Sequence, residues 1–186
     1  LFYLQMIHNN LKIELNRNFQ YMFLLSGLFF LLPDVIIEEL IFRGYCFKKT
    51  INRAGIIQAN IIFAFLFVAW HWLALNAWGN YALMLGLLTT GLGHILFATA
   101  LIKSRTLYFP IGIHLGNNWV SRYIFSYQTK GIVDTQQTND SLFFIAKNGQ
   151  DFSSLHIMIS YLITIASFLI FTFIIWKWTR RVVTVK

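Results

Sequence analysis

The constraint that dominates this chain is the spacing of its apolar stretches. A helix needs about 20 apolar residues to cross hydrocarbon. Runs of that kind cover about 19–47, 56–75, 81–102, 107–127 and 155–178. Lipid offers the backbone no hydrogen bonds, so a spanning segment must satisfy its own N–H and C=O groups, as a helix does. Composition agrees. The 186 residues are 57% hydrophobic and 12% charged, against about 25% charged in a soluble domain. The expected fold is therefore all-α, a polytopic membrane helix bundle with about five transmembrane helices. Residues 19–186 form one membrane-embedded domain, and 1–18 form an interfacial or N-terminal segment.

The first run is too long for one straight span, and Pro33 is its natural kink. Residues 51–59 are expected to form an interfacial turn. Lys48, Lys49 and Arg53 follow the first run, and Lys103 and Arg105 follow the third. Lys177, Arg180, Arg181 and Lys186 close the chain. The other ends are uncharged around Asn76–Asn80, or carry Asp134, Asp140 and Asp151 in the polar loop 128–154. This alternation fits five spans and puts the C-terminus in the cytoplasm. In that loop, LFFIA is apolar enough to dip into the interface. Gly112 and Gly116 permit close helix packing. No basic run interleaved with aromatics suggests nucleic acid. Cys46 is the sole cysteine, so no internal disulfide forms.

Against this background the polar residues stand out. The stretch PDVIIEELIFRG brings Asp34, Glu38, Glu39 and Arg43 into an apolar segment. A central charge costs roughly 2.5–3.5 kcal/mol on insertion scales. Glu39 and Arg43 are i and i+4, so they share a helix face and read as a buried ion pair. Glu38 points about 100° away and is the functional candidate. His71 lies near the far end of the second run, and read alone it is more often a hydrogen-bonded core residue. His114 and Asn118, again i and i+4, project from one face. They can hold a metal ion or an oxygen atom, or make an interhelical hydrogen bond. Asn117 reads as packing or solvent-facing, and His94 as structural or accessory. One carboxylate with two imidazoles can ligate zinc, or activate water beside an electrophile.

In order along the chain, Glu38-Glu39-x-x-x-Arg43, Phe67-x-x-x-His71 and His114-x-x-x-Asn118 resemble the three motifs of the intramembrane proteases related to the CAAX prenyl endopeptidase. The bacterial branch is the CPBP family of CAAX proteases and bacteriocin-processing enzymes, earlier grouped as Abi proteins. PDVIIEELIFRG and Pro110, four before His114, fit the flanking pattern. The match covers about Leu31 to Trp119. The resemblance implies an intramembrane site that hydrolyses a peptide bond in a membrane-associated peptide or protein. It makes Glu38 the general base and His71 a water-positioning or metal-binding residue. His114 and Asn118 would stabilise the oxyanion or complete a metal site, and Glu39 and Arg43 would orient Glu38. A divalent metal such as zinc on Glu38, His71 and His114, or a metal-free glutamate mechanism, are both compatible with the motifs. There is no HExxH. Relatives often have more than five spans, so the number of spans departs from the family pattern.

Two other classes compete with the protease. A non-catalytic bacteriocin-immunity or membrane scaffold protein of the same family would tolerate loss of Glu38. A proton-coupled transporter would use the same residue types as a relay, but no inverted repeat supports it. The Phe-, Ile- and Asn-rich composition points to a bacterial plasma membrane.

Overall fold

The computed structural model describes residues 11–128, 141–147 and 154–178. Residues 1–10, most of the 128–154 loop, and Arg180, Arg181 and Lys186 lie outside them. The elements in order are β1 (Leu11–Leu15), α1 (Met22–Arg43), α2 (Tyr45–Ala54), α3 (Ile56–Ala74), α4 (Tyr81–Leu87), α5 (Thr89–Ser104) and α6 (Tyr108–Trp119). A π-helical turn (Val120–Ile124), β2 (Phe125–Gln128), β3 (Phe143–Lys147) and α7 (Ser154–Lys177) complete the chain. The protein is predominantly helical, as expected. Among the described residues, two stretches are long and apolar enough to cross a membrane: Ile56–Ala74, and Tyr81–Ser104, which spans α4 and α5.

Several boundaries differ from the sequence expectation. α1 runs through Pro33 as one helix, and the chain turns at Gly44 instead. A Cβ at position 44 would collide with the Leu40 carbonyl, so glycine is what lets α2 start there. α2 is amphipathic. Phe47 is fully buried, while Lys48, Lys49 and Arg53 are exposed. The turn expected over 51–59 shrinks to Gly55, whose φ of 88° is a left-handed conformation that glycine adopts without strain. α3 accordingly starts at Ile56. The third apolar run breaks at Leu88 into α4 and α5. The fourth stops being α-helical at Trp119.

The chain forms two compact units, and the division falls within α1, α6 and α7. One unit comprises Leu1–Ile36 and Gly112–Ile163. It contains a three-stranded sheet in the order β1-β3-β2, which an all-α reading did not anticipate. β1 pairs with β3 antiparallel, Ile13 opposite Ile145, and β2 pairs with β3 in parallel, Phe125 opposite Phe143. LFFIA thus supplies most of β3. Asn16 anchors the sheet, its buried amide donating to the Ser141 carbonyl at 3.1 Å. The Trp119 indole donates to the Leu24 carbonyl at 2.8 Å, tying the end of α6 to α1.

The other unit comprises Ile37–Ile111 and Thr164–Lys186. Its core is Phe42, Phe47, Ala59, Phe63, Phe67, Ala98 and Leu101, contributed by α1, α2, α3 and α5. Gly91 lets α5 approach α3, since a Cβ there would sit 3.2 Å from a Val68 methyl. This aromatic core receives the polar groups of the EExxxR segment.

Candidate active site

Glu38 and Glu39 are neighbours in sequence with different surroundings. A step of about 100° around the helix leaves Glu38 half-buried, whereas Glu39 is fully buried. One turn on, Arg43 is also fully buried. Its Nη1 donates to Glu39 Oε1 at 3.1 Å, the ion pair expected from the i, i+4 spacing. The guanidinium lies over Phe67, 4.3 Å from the ring centroid, and over Phe97 at 5.1 Å. A cation seated on aromatic faces is held electrostatically even where water is excluded. The pair and its rings lock this turn of α1, and Glu38 is mounted on it.

His71 follows one turn after Phe67 on α3. It is half-buried, and its Nδ1 lies 2.8 Å from the Phe67 carbonyl. A carbonyl can only accept, so Nδ1 carries the proton. In the neutral imidazole Nε2 therefore holds the lone pair. The imidazole also packs edge-on against the Phe67 ring, with centroids 4.5 Å apart. Phe67 thus contacts both the Arg43 guanidinium and the His71 imidazole, a link that motif spacing alone does not reveal. Nearby, Trp72 donates to the Met84 carbonyl at 3.1 Å, fixing the end of α3 to α4.

His94 occupies the core of the same unit. It is fully buried, and neither ring nitrogen has a hydrogen-bond partner among the described residues. Its neighbours are Phe47, edge-on at 5.4 Å, Phe63, stacked at 6.3 Å, and Phe67 at 6.2 Å. It serves as a ring among rings, in line with the structural reading.

His114 and Asn118 lie on α6 within the sheet-containing unit. His114 is buried and Asn118 half-buried. The Asn118 carbonyl oxygen accepts from the exposed Asn117 amide at 3.3 Å, so Asn117 supports its neighbour rather than merely facing solvent. With Oδ1 so engaged, the Asn118 amide group is the end that can donate elsewhere. The sequence candidates therefore fall into two sets. Glu38, Glu39, Arg43 and His71 belong to the aromatic-core unit, and His114 and Asn118 to the other. Within either unit, no three His, Cys, Asp or Glu side chains among the described residues gather closely enough to hold a metal. Neither unit by itself therefore fits a metal, and no catalytic step is derived through one.

No match was found among curated proteins or among solved structures. A family model does match: residues 20–120 fit the type II CAAX prenyl endopeptidase Rce1-like family. That stretch runs from the start of α1 to the end of α6 and includes every candidate residue above. More than half of the chain matches a membrane-protease family, and the chain belongs to the type II CAAX prenyl endopeptidase Rce1-like family.

Proposed function

We propose that this protein is an intramembrane endopeptidase that cleaves a membrane-associated peptide or protein with water activated by Glu38. The observation that carries this reading is the split between Glu38 and Glu39. Glu39 is fully buried and bonded to Arg43. Glu38 is half-buried on the same rigid turn. A carboxylate carried on a turn held by a buried ion pair, and itself only half-buried, suits a general base.

In this reading Glu38 takes a proton from water as the water oxygen bonds to the scissile carbonyl carbon. His71, with Nδ1 engaged by the Phe67 carbonyl, accepts a hydrogen bond from that water at Nε2. To His114 and Asn118 the family motif assigns stabilisation of the tetrahedral oxyanion. Such donors are each worth roughly a hundred- to a thousandfold in rate. As the C–N bond breaks, the proton held by Glu38 passes to the departing amine. The alternative that the family motifs allow is a divalent metal such as zinc, for which Glu38, His71 and His114 would be the candidate ligands and which would supply Lewis-acid chemistry. The same reading places five spans in a bacterial plasma membrane with a cytoplasmic C-terminus, an orientation favoured by the basic ends.

The test is cleavage of a mixed peptide library by the full chain in detergent, read by mass spectrometry beside Glu38→Gln. The expected result is a set of cuts reduced at least a hundredfold in the variant. A chelator arm separates the metal and metal-free forms. Equal cleavage in both proteins would overturn the general-base role. No cleavage by either, together with retained biological protection by Glu38→Gln, would favour an immunity or scaffold role.

A further inference from the structure

The aromatic-core unit has a strong charge imbalance. Its only acids are Glu38 and Glu39, while Lys48, Lys49, Arg53, Lys103, Arg105 and Lys177 lie on or between its described elements. Two of these lysines meet at one indole. Lys103, in the last turn of α5, has Nζ 5.4 Å from the Trp176 ring centroid. Lys177, in the last turn of α7, has Nζ 5.2 Å from the same ring. Lys177 also lies 5.7 Å from the Phe173 ring.

The helix dipole explains why each lysine sits at a helix end. The indole attracts each ammonium, and the two contacts gather positive charge around one ring that lies at the end of an exposed apolar helix face. Neither lysine makes a salt bridge among the described residues. The surface beside them is apolar. On α7, Leu169, Ile170, Phe173 and Ile174 are more than half exposed, and Trp176 is 53% exposed. A paired cationic head above an exposed aliphatic face complements a molecule with an anionic group and acyl tails. Free phosphate would use only the head.

We propose that Lys103, Lys177 and Trp176 form a headgroup site for an anionic phospholipid, with the acyl chains along the exposed face of α7. This uses the membrane character of the chain and is independent of its catalysis. Each lysine near an anionic lipid contributes about fivefold in affinity.

The experiment is native mass spectrometry of the full chain in detergent, titrated with phosphatidylglycerol or phosphatidylcholine. The variants are Lys103→Gln/Lys177→Gln and the charge-matched control Lys48→Gln/Lys49→Gln. The expected result is preferential retention of phosphatidylglycerol by the wild type. The Lys103/Lys177 variant should lose on the order of tenfold or more in affinity, and the control clearly less. Equal losses in both variants would reduce the site to general surface charge and overturn it, as would no lipid preference in the wild type. Displacement of the lipid by millimolar inorganic phosphate would show that the tails contribute nothing, and would overturn the lipid assignment. Circular dichroism of each variant excludes misfolding, and peptide cleavage measured in parallel keeps this result separate from the protease reading.

Discussion

Two histidines of the aromatic-core unit touch the same phenyl ring and have opposite surroundings. His71 packs on Phe67 at 4.5 Å, is half-buried, and anchors Nδ1 on a carbonyl. His94 lies 6.2 Å from that ring, is fully buried among phenylalanines, and has no hydrogen-bond partner on either nitrogen among the described residues. The difference shows what makes a membrane-helix histidine useful. Being apolar-flanked is common to both. What differs is that one nitrogen of His71 is held, which fixes the ring and its tautomer, while the side chain is only half-buried. A ring with a fixed tautomer and an available lone pair can serve water or a metal; a ring enclosed by phenyl groups serves packing.

The contrast is broken most directly at His71. His71→Phe keeps a flat ring against Phe67 but removes Nε2. Peptide cleavage is expected to fall roughly a hundred- to ten-thousandfold, while the unfolding midpoint in detergent stays near that of the wild type. A variant that unfolds early and loses activity only in proportion would place His71 in the same packing class as His94.

The next effect concerns the cation that shares Phe67 with both histidines. Glu39→Leu leaves Arg43 buried with its charge uncompensated, and the aromatic faces of Phe67 and Phe97 replace only part of the lost attraction. Removing one partner of a buried pair costs about 3–5 kcal/mol. The check is chemical denaturation followed by circular dichroism. A change below about 1 kcal/mol would mean that the rings alone hold the guanidinium.

Much of this arrangement was legible in the sequence, and the exceptions have physical causes. The i, i+4 spacing of Glu39 and Arg43 was enough to read their ion pair, because neighbours on a helix face are set by geometry. The family motifs were legible for the same reason, each lying on a single helix. The sheet was missed. Leu11-Lys12-Ile13-Glu14-Leu15 alternates apolar and polar residues, a strand signal, but its partners lie some 130 residues away, and no local pattern announces such pairing. The break at Leu88 is not legible either, since Tyr81–Ser104 is apolar enough overall to read as one span and only backbone hydrogen bonds reveal the break. Phe67 read as one motif position among several; its contacts with Arg43 and His71 exist only in the packed unit.

The smallest expected effect is the sharpest test of the contrast. His94→Phe replaces an imidazole whose two nitrogens are buried without hydrogen bonds among the described residues. Leaving a buried polar group unsatisfied costs about 1–3 kcal/mol, so removing it is favourable. The phenyl ring is somewhat larger, and overpacking a core costs about 1–3 kcal/mol. The two terms oppose each other, and the net change in stability is expected to lie within about 1 kcal/mol, with peptide cleavage retained within a few-fold. The same substitution at His71 is expected to lower cleavage roughly a hundred- to ten-thousandfold, and the two variants differ only in which ring near Phe67 is changed. If His94→Phe instead removes cleavage while its unfolding midpoint holds, the buried imidazole acts on the reaction through Phe67 or Arg43. The division between a working and a packing histidine would then fail.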